Sequence, residues 1–160
     1  MKQQLDALVE FHRVFGAHVQ NAPTVDLPDE VIALRVSLIQ EELNEYRHAA
    51  EAHDLVEVAD ALSDLLYVVL GTYVSHGLQD AAEALFAEVH RSNLSKLDEN
   101  GQVIYRADGK VLKSDRWRPP DLRVILADEE AAHSAYRDEG RMTNDESPLA
   151  SNQLPVSSFQ

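Results

Sequence analysis

Residues 38–50 read LIQEELNEYRHAA, and they put three glutamates into what is otherwise the apolar stripe of a helix. At about 100° per residue, Val31, Leu34 and Leu38 fall within an arc of roughly 60°. Glu42, Glu45 and Ala49 fall in the same arc, and Glu41 lies at its edge. The stripe therefore turns from apolar to acidic and back. Burying one bare carboxylate is costly, and burying two side by side is worse. Carboxylates in such positions are protonated, paired with cations, or ligands to a metal ion.

The next helix carries a second acidic line. Asp54 is placed to cap it, with Glu57 three residues later as a capping-box partner. Leu55, Val58, Leu62, Leu66, Val69 and Tyr73 form one apolar stripe, while Glu57, Asp60 and Asp64 line the opposite side. That acidic side continues as Tyr67, Val68 and Gly71, which is not the pattern of a solvated face. A helix apolar on both sides belongs inside a bundle, so its acids are expected to face inward. Two inward acidic patches on neighbouring helices predict an all-oxygen site for hard divalent cations, Mg²⁺ or Mn²⁺. Mg²⁺ draws its remaining ligands from water and substrate phosphates, which points to a phosphate-bearing substrate. Each piece alone has a plainer reading: the EEL-E run as a solvated face, Glu57 as a cap, Asp60 and Asp64 as exposed acids. The shared helical phase is what argues against it, because exposed acids should not interrupt an apolar arc.

The rest of the chain surrounds these two helices with others. Residues 3–20 have helical spacing of Leu5, Leu8, Val9, Val14, Phe15 and Val19. NAPTVDLP (21–28) is a linker with two prolines. The helix that bears the glutamates is expected from about Pro28 or Asp29 to Ala52, and the next is expected to stop near Gly77. Asp80 and Glu83 repeat the cap pattern before a fourth helix over 81–96. ENGQVIYRADGKVLKSD (99–115), with its Asp108-Gly109 turn, predicts a small hairpin or an ordered loop. A last helix is expected over about 121–138. The fold class is thus all-α, a four- to five-helix bundle with a short hairpin or loop before the last helix. A single domain is expected over 1–138, followed by a flexible or partner-docking tail at 139–160.

Composition limits the function. The 160 residues and 44% apolar content fit one globular domain. With no cysteine, disulfides and thiolate metal sites are excluded, and a reducing cytoplasm is expected. No apolar run approaches the roughly 20 residues that span a bilayer. A net charge of −14 repels phosphate backbones, so neither nucleic acid nor membrane is expected as a partner. A small anion remains possible where metal cations carry the positive charge.

EELNE followed by VADALSDLLYVVLG resembles the EExxE and ExxD motifs of the all-α nucleoside triphosphate pyrophosphohydrolases, the MazG-like and HisE-like proteins. FAEVHRSNLSK and then ADGKVLKSDRWRPPDL look most like the MazG-like dUTP or dNTP diphosphatase branch, phage relatives included. The resemblance covers roughly residues 8 to 124. It implies hydrolysis of a dNTP, dUTP or dGTP foremost, to monophosphate and pyrophosphate, with two or three Mg²⁺ or Mn²⁺ ions per site. Carried over by position, Glu42, Glu45 and Asp64 would be metal ligands, and Glu41 would orient or deprotonate the attacking water. The motif's other glutamate falls on Ala61, so Asp60, one turn before Asp64, is the substitute, with Glu57 as a further candidate ligand.

Asn93 and Lys96, one turn apart, are candidates for holding phosphates. Lys110, Lys113, Arg116 and Arg118 reverse the local charge and are candidates for a substrate flap, from the same or a neighbouring subunit. Each also has a plain reading: a cation at a helix C-terminus, or a basic patch balancing an acidic body. Trp117 is a candidate for stacking on a base or a packing anchor, and His12 in FHRVFG a candidate base contact or a buried histidine. The resemblance also implies a homodimer or homotetramer, in a bacterial or phage-infected cytoplasm. Among rivals, Glu45 to His48 is a single ExxH motif, and a di-iron bundle needs two. His53-Asp54 reads better as a cap than as a metal-binding pair. A phosphoribosyl-ATP pyrophosphohydrolase shares the fold, but the DGKVLK and WRPPDL stretches argue against it, and an acidic interaction module would need neither metal nor Glu42.

Overall fold

The computed structural model of the protein describes the backbone of residues 1–142 and the side chains up to residue 136. Among these residues five helices succeed one another: α1 (Lys2–Phe15), α2 (Asp29–Glu51), α3 (Leu55–Ser75), α4 (Ala82–Leu94) and α5 (Leu122–Met142). The all-α expectation holds. The expected tail lies outside the described residues from 143 onward, and residues 139–142 continue α5 past its expected end.

α1 is shorter than its periodicity implied. Gly16 takes a left-handed conformation (φ 69°), and the Ala17 N–H donates to the His12 carbonyl, which closes the helix. Val19 is therefore not helical. The segment after it runs across the end of α3, with the Gln20 N–H donating to Val74 O (3.1 Å) and the Thr24 N–H to His76 O (3.0 Å). Gly77, also left-handed at φ 70°, lets Ala22 come closer than a Cβ would allow.

α2 and α3 form an antiparallel hairpin joined by Ala52, His53 and Asp54. His53 adopts φ 56° as α2 ends, and Asp54 caps α3: its Oδ1 accepts from Val56 N–H (3.0 Å) and Glu57 N–H (3.2 Å). The reciprocal half of the expected capping box is not made. The Asp54 N–H bonds Ala49 O instead, so the Glu57 carboxylate is left to the cleft between the helices. The cap expected of Asp80 and Glu83 is not used either: α4 starts after Ala81 with no side-chain cap. Glu83 reaches across to α1 and accepts the Lys2 N–H (3.2 Å), one of the donors a helix N-terminus leaves unpaired.

The apolar core is Leu5 and Leu8 of α1, Leu70 and Val74 of α3 and Ala82 of α4, with Val9, Val19 and Tyr73 against it. It sits at the C-terminal end of α3. Along the rest of α3 the expected core stripe points outward: Leu55, Leu62 and Leu66 are 79%, 47% and 55% exposed. The buried line is Ala61, Leu70, Gly71, Val74 and Ser75. The only buried side chain of α2 is Ala49. Alanine and glycine let two helix backbones approach where leucines would hold them apart. The acid-bearing arc of α3, which contains Ala61 and Gly71, is therefore the one that meets α2.

The segment before α5 is a small hairpin tip. Tyr105 and Val111 form one antiparallel bridge, the Arg106 N–H bonds Lys110 O (2.8 Å), and Gly109 turns the chain at φ 84°. The following loop is tied to α4: Ser92 Oγ donates to Arg118 O (2.8 Å) and the Asp121 N–H to Glu88 Oε1 (2.8 Å). Among the described residues no helix is long and apolar enough to cross a membrane.

Candidate active site

The α2–α3 hairpin brings the two acidic lines face to face. Glu42 is half-buried, and its Oε2 is sealed from solvent with no hydrogen-bond partner. Burial pushes its carboxyl above the usual range, and the charges of Glu45, Asp64, Glu41 and Asp60 push it the same way. Those four neighbours come from both helices, and among the described residues no cation offsets them. A lone pair sealed in a pool of negative charge is stable only if a proton or a cation reaches it. The four groups whose charge acts on it are all carboxylates, the donors that suit a hard divalent ion.

From Glu45, one turn beyond Glu42, opens a cleft of about 340 Å³ whose polar lining is Glu45, His48, Asp54, Glu57 and Asp60, with Ala49 and Ala61 at its floor. Ala61, where the motif's glutamate would stand, is 2% exposed and packs the helix contact. Asp60 and Glu57 take up the acidic side of the cleft in its place. Glu41, Glu45, Glu57, Asp60 and Asp64 are exposed. Among the described residues no three acids or histidines converge closely enough to hold an ion as the side chains stand. Like charges with free access to water spread apart, and a cation is what would gather them.

The other candidates lie elsewhere. Lys96 Nζ donates to Asn93 Oδ1 (2.6 Å) at the end of α4, so the two are joined to each other. Lys113 stands over the half-buried Trp117 ring at 3.4 Å, and the Arg116 N–H bonds Ser114 Oγ (3.2 Å). Lys110 is exposed beside the hairpin tip. None of these contacts reaches the acids of α2 and α3. His12 is 1% exposed, with Nδ1 2.8 Å from His18 O and Nε2 3.0 Å from Arg35 Nη2. A direct base contact would require it to leave that pocket.

Arg35 is the residue that the sequence reading passed over. It lies seven positions before Glu42, and so on the same face of α2. A cation inside an otherwise apolar and acidic arc is the signal that could have found it.

Comparison with known proteins bears on this helix pair. A protein of Acanthamoeba polyphaga mimivirus, itself uncharacterized, is 31% identical over 101 residues, 61% of this chain. The chain spans only 40% of that protein's length. The family model described as phosphoribosyl-ATP pyrophosphohydrolase matches residues 8–93, a stretch running from α1 through both acidic helices into α4. That match takes in more than half of the chain, which therefore belongs to the phosphoribosyl-ATP pyrophosphohydrolase family of nucleotide pyrophosphohydrolases.

Proposed function

We propose that the chain is a metal-dependent nucleotide pyrophosphohydrolase that converts a dNTP, dUTP or dGTP foremost, to dNMP and pyrophosphate. The observation that carries this reading is the sealed, unpartnered Glu42 Oε2 amid four other carboxylates. Glu42, Glu45, Asp60 and Asp64, with Glu57 at the edge of the cleft, would hold Mg²⁺ or Mn²⁺. When bound, such ions polarise phosphoryl oxygens and offset the charge that gathers on a leaving pyrophosphate. Glu41, exposed on α2 beside Glu42, accepts the proton of the water whose oxygen attacks the α-phosphorus. The bond from that phosphorus to its bridging oxygen breaks, and pyrophosphate departs.

Asn93, Lys96, Lys110, Lys113, Arg116 and Trp117 belong to this site only if another subunit brings them to it. Ile32 and Leu43 on α2 and Leu62 and Leu66 on α3 are each more than 40% exposed, apolar surface that a second copy of the chain would cover. A homodimer or homotetramer is the assembly this reading takes. A monomer at micromolar concentration by light scattering would defeat it.

A second reading has its own support: the matching family model is described by phosphoribosyl-ATP, not by a dNTP. Both are tested by one panel. Each dNTP, each NTP and phosphoribosyl-ATP is incubated with Mg²⁺ or Mn²⁺, with and without EDTA, and pyrophosphate and monophosphate are separated by chromatography. Metal-dependent pyrophosphate release is expected, and the best substrate decides between the readings. No turnover with any nucleotide would leave an acidic interaction module as the better account.

A further inference from the structure

Arg35 and Glu42 project from one side of α2, about 10.5 Å apart along its axis. Across from them on α3, Gly71 stands seven residues after Asp64. A Cβ on Gly71 would come within 3.0 Å of both Arg35 Nη1 and His12 Nε2, so the guanidinium is packed close against bare backbone. Arg35 Nη2 donates to His12 Nε2 across 3.0 Å. An arginine N–H needs an acceptor, so His12 is neutral and carries its proton on Nδ1, from which it donates to His18 O. Burial keeps the imidazole below its usual pKa, and the Arg35 charge adds to that. His12 thus aims the guanidinium.

Among the described residues the remaining donors of Arg35 are uncommitted. Among the described residues it forms no ion pair. Only one of its nitrogens is bonded, and none of the others is sealed from solvent. Burial alone lowers its pKa, with no carboxylate close enough to offset this. An arginine that meets no acid among the described residues of so acidic a chain is a donor set kept for another acceptor. Beside it, Phe11 meets Tyr67 edge-on at 5.6 Å and His12 at 6.3 Å. Tyr67 follows Asp64 by three residues and, like Phe11, is about 40% exposed. Aromatic surface therefore lies between the acids and the guanidinium. A phosphate tail needs cations and gains nothing from aromatic surface, whereas a base uses both.

We propose, resting on the hydrolase reading above, that Arg35 is the specificity-determining residue for the nucleobase, and that it selects bases presenting a ring carbonyl over those presenting an amino group at the same position. Guanine offers O6 with N7, and uracil or thymine offers O4; adenine and cytosine present amino donors there. A guanidinium has no acceptor, so an amino edge leaves donors unpaired on both sides. His12 and Gly71 are positioning residues for it.

The test is kcat/KM of the full chain for dGTP, dUTP and dTTP against dATP and dCTP, with Mn²⁺. The best carbonyl-bearing nucleotide should exceed its amino counterpart of the same ring size by roughly tenfold or more. Arg35→Gln, whose amide both donates and accepts, should narrow that ratio toward one, with kcat/KM falling more for the carbonyl-bearing nucleotides than for dATP and dCTP. The wild-type panel decides by itself if the variant does not fold. Equal rates, a preference for an adenine nucleotide, or a uniform fall across all five nucleotides in Arg35→Gln would overturn the base assignment and leave the hydrolase reading intact. No turnover of any nucleotide would overturn both.

Discussion

Gly71 on α3 faces Arg35 on α2 so closely that a Cβ at position 71 would meet Nη1 at 3.0 Å, and it would meet His12 Nε2 at the same distance. One of these two neighbours is the end of a flexible chain. The other is fully buried and held through Nδ1 to the His18 carbonyl, so it has nowhere to retreat.

Gly71→Ala therefore sets two effects against each other. Alanine in a helix interior gains about 1 kcal/mol over glycine. Forcing a methyl into a filled interface costs about 1–3 kcal/mol. The immobile imidazole tips the balance, and a net loss of about 1 kcal/mol is expected from urea unfolding. A stabilised variant would mean that Arg35 moves aside freely.

Glu42→Gln should raise the melting temperature of metal-free protein, because it removes a carboxylate from among four others. The pH dependence follows the same logic. A carboxyl with its folded pKa raised holds its proton more tightly in the folded state. Ionising it costs stability, and that cost is relieved as pH falls toward the raised pKa. Metal-free wild type should thus gain stability between neutral pH and the upper edge of the carboxylate range, by more than Glu42→Gln does. Parallel pH profiles for the two proteins would show that Glu42 is not the group responsible.

The opposite sign applies to Glu88. Its carboxyl is held at about 2 by Arg91, and then by the Asp121 N–H it accepts. Its contribution is present in full above the unfolded value of 4.5 and is lost as pH falls toward about 2. Hydrogen exchange at the Asp121 amide should be faster in Glu88→Gln than in wild type at neutral pH, with the difference closing at the acid end. A difference that persisted at pH 2 would contradict the assignment.

Asp54→Ala should cost about 1 kcal/mol through the lost cap of α3. Glu57→Ala should cost almost nothing, because the Glu57 carboxylate makes no return bond to the Asp54 N–H. Equal losses for the two variants in chemical denaturation would mean that the full capping box forms in solution.

Much of the architecture is legible in local chemistry. Asp54 before an apolar run, Pro28 before Asp29 and the glycines at 16 and 77 are signals that act within a few residues, and helix ends respond to them. Where α1 was read too long, the error was to follow the apolar rhythm through Gly16, whose left-handed backbone ends the helix whatever follows. Asp80 and Glu83 show the converse: a capping pattern is present, but Glu83 is drawn across the fold to the start of α1. A distant partner with unpaired donors outcompetes a local one.

By itself the sequence determined that two neighbouring helices carry acids in phase with their apolar residues, and that a short turn folds one back on the other. Helical period is a property of each chain segment, so this needed no knowledge of neighbours. Only the tertiary structure decided which face of α3 meets α2. Ala49, Ala61 and Gly71 let the backbones close on the acidic side, which seals the Glu42 oxygen and turns Leu62 and Leu66 outward. It alone also decided that Arg35 and His12, 23 residues apart, share one proton-defined contact over Gly71. A helical wheel gives the direction of a side chain, but what stands opposite depends on packing between segments that the local pattern does not encode.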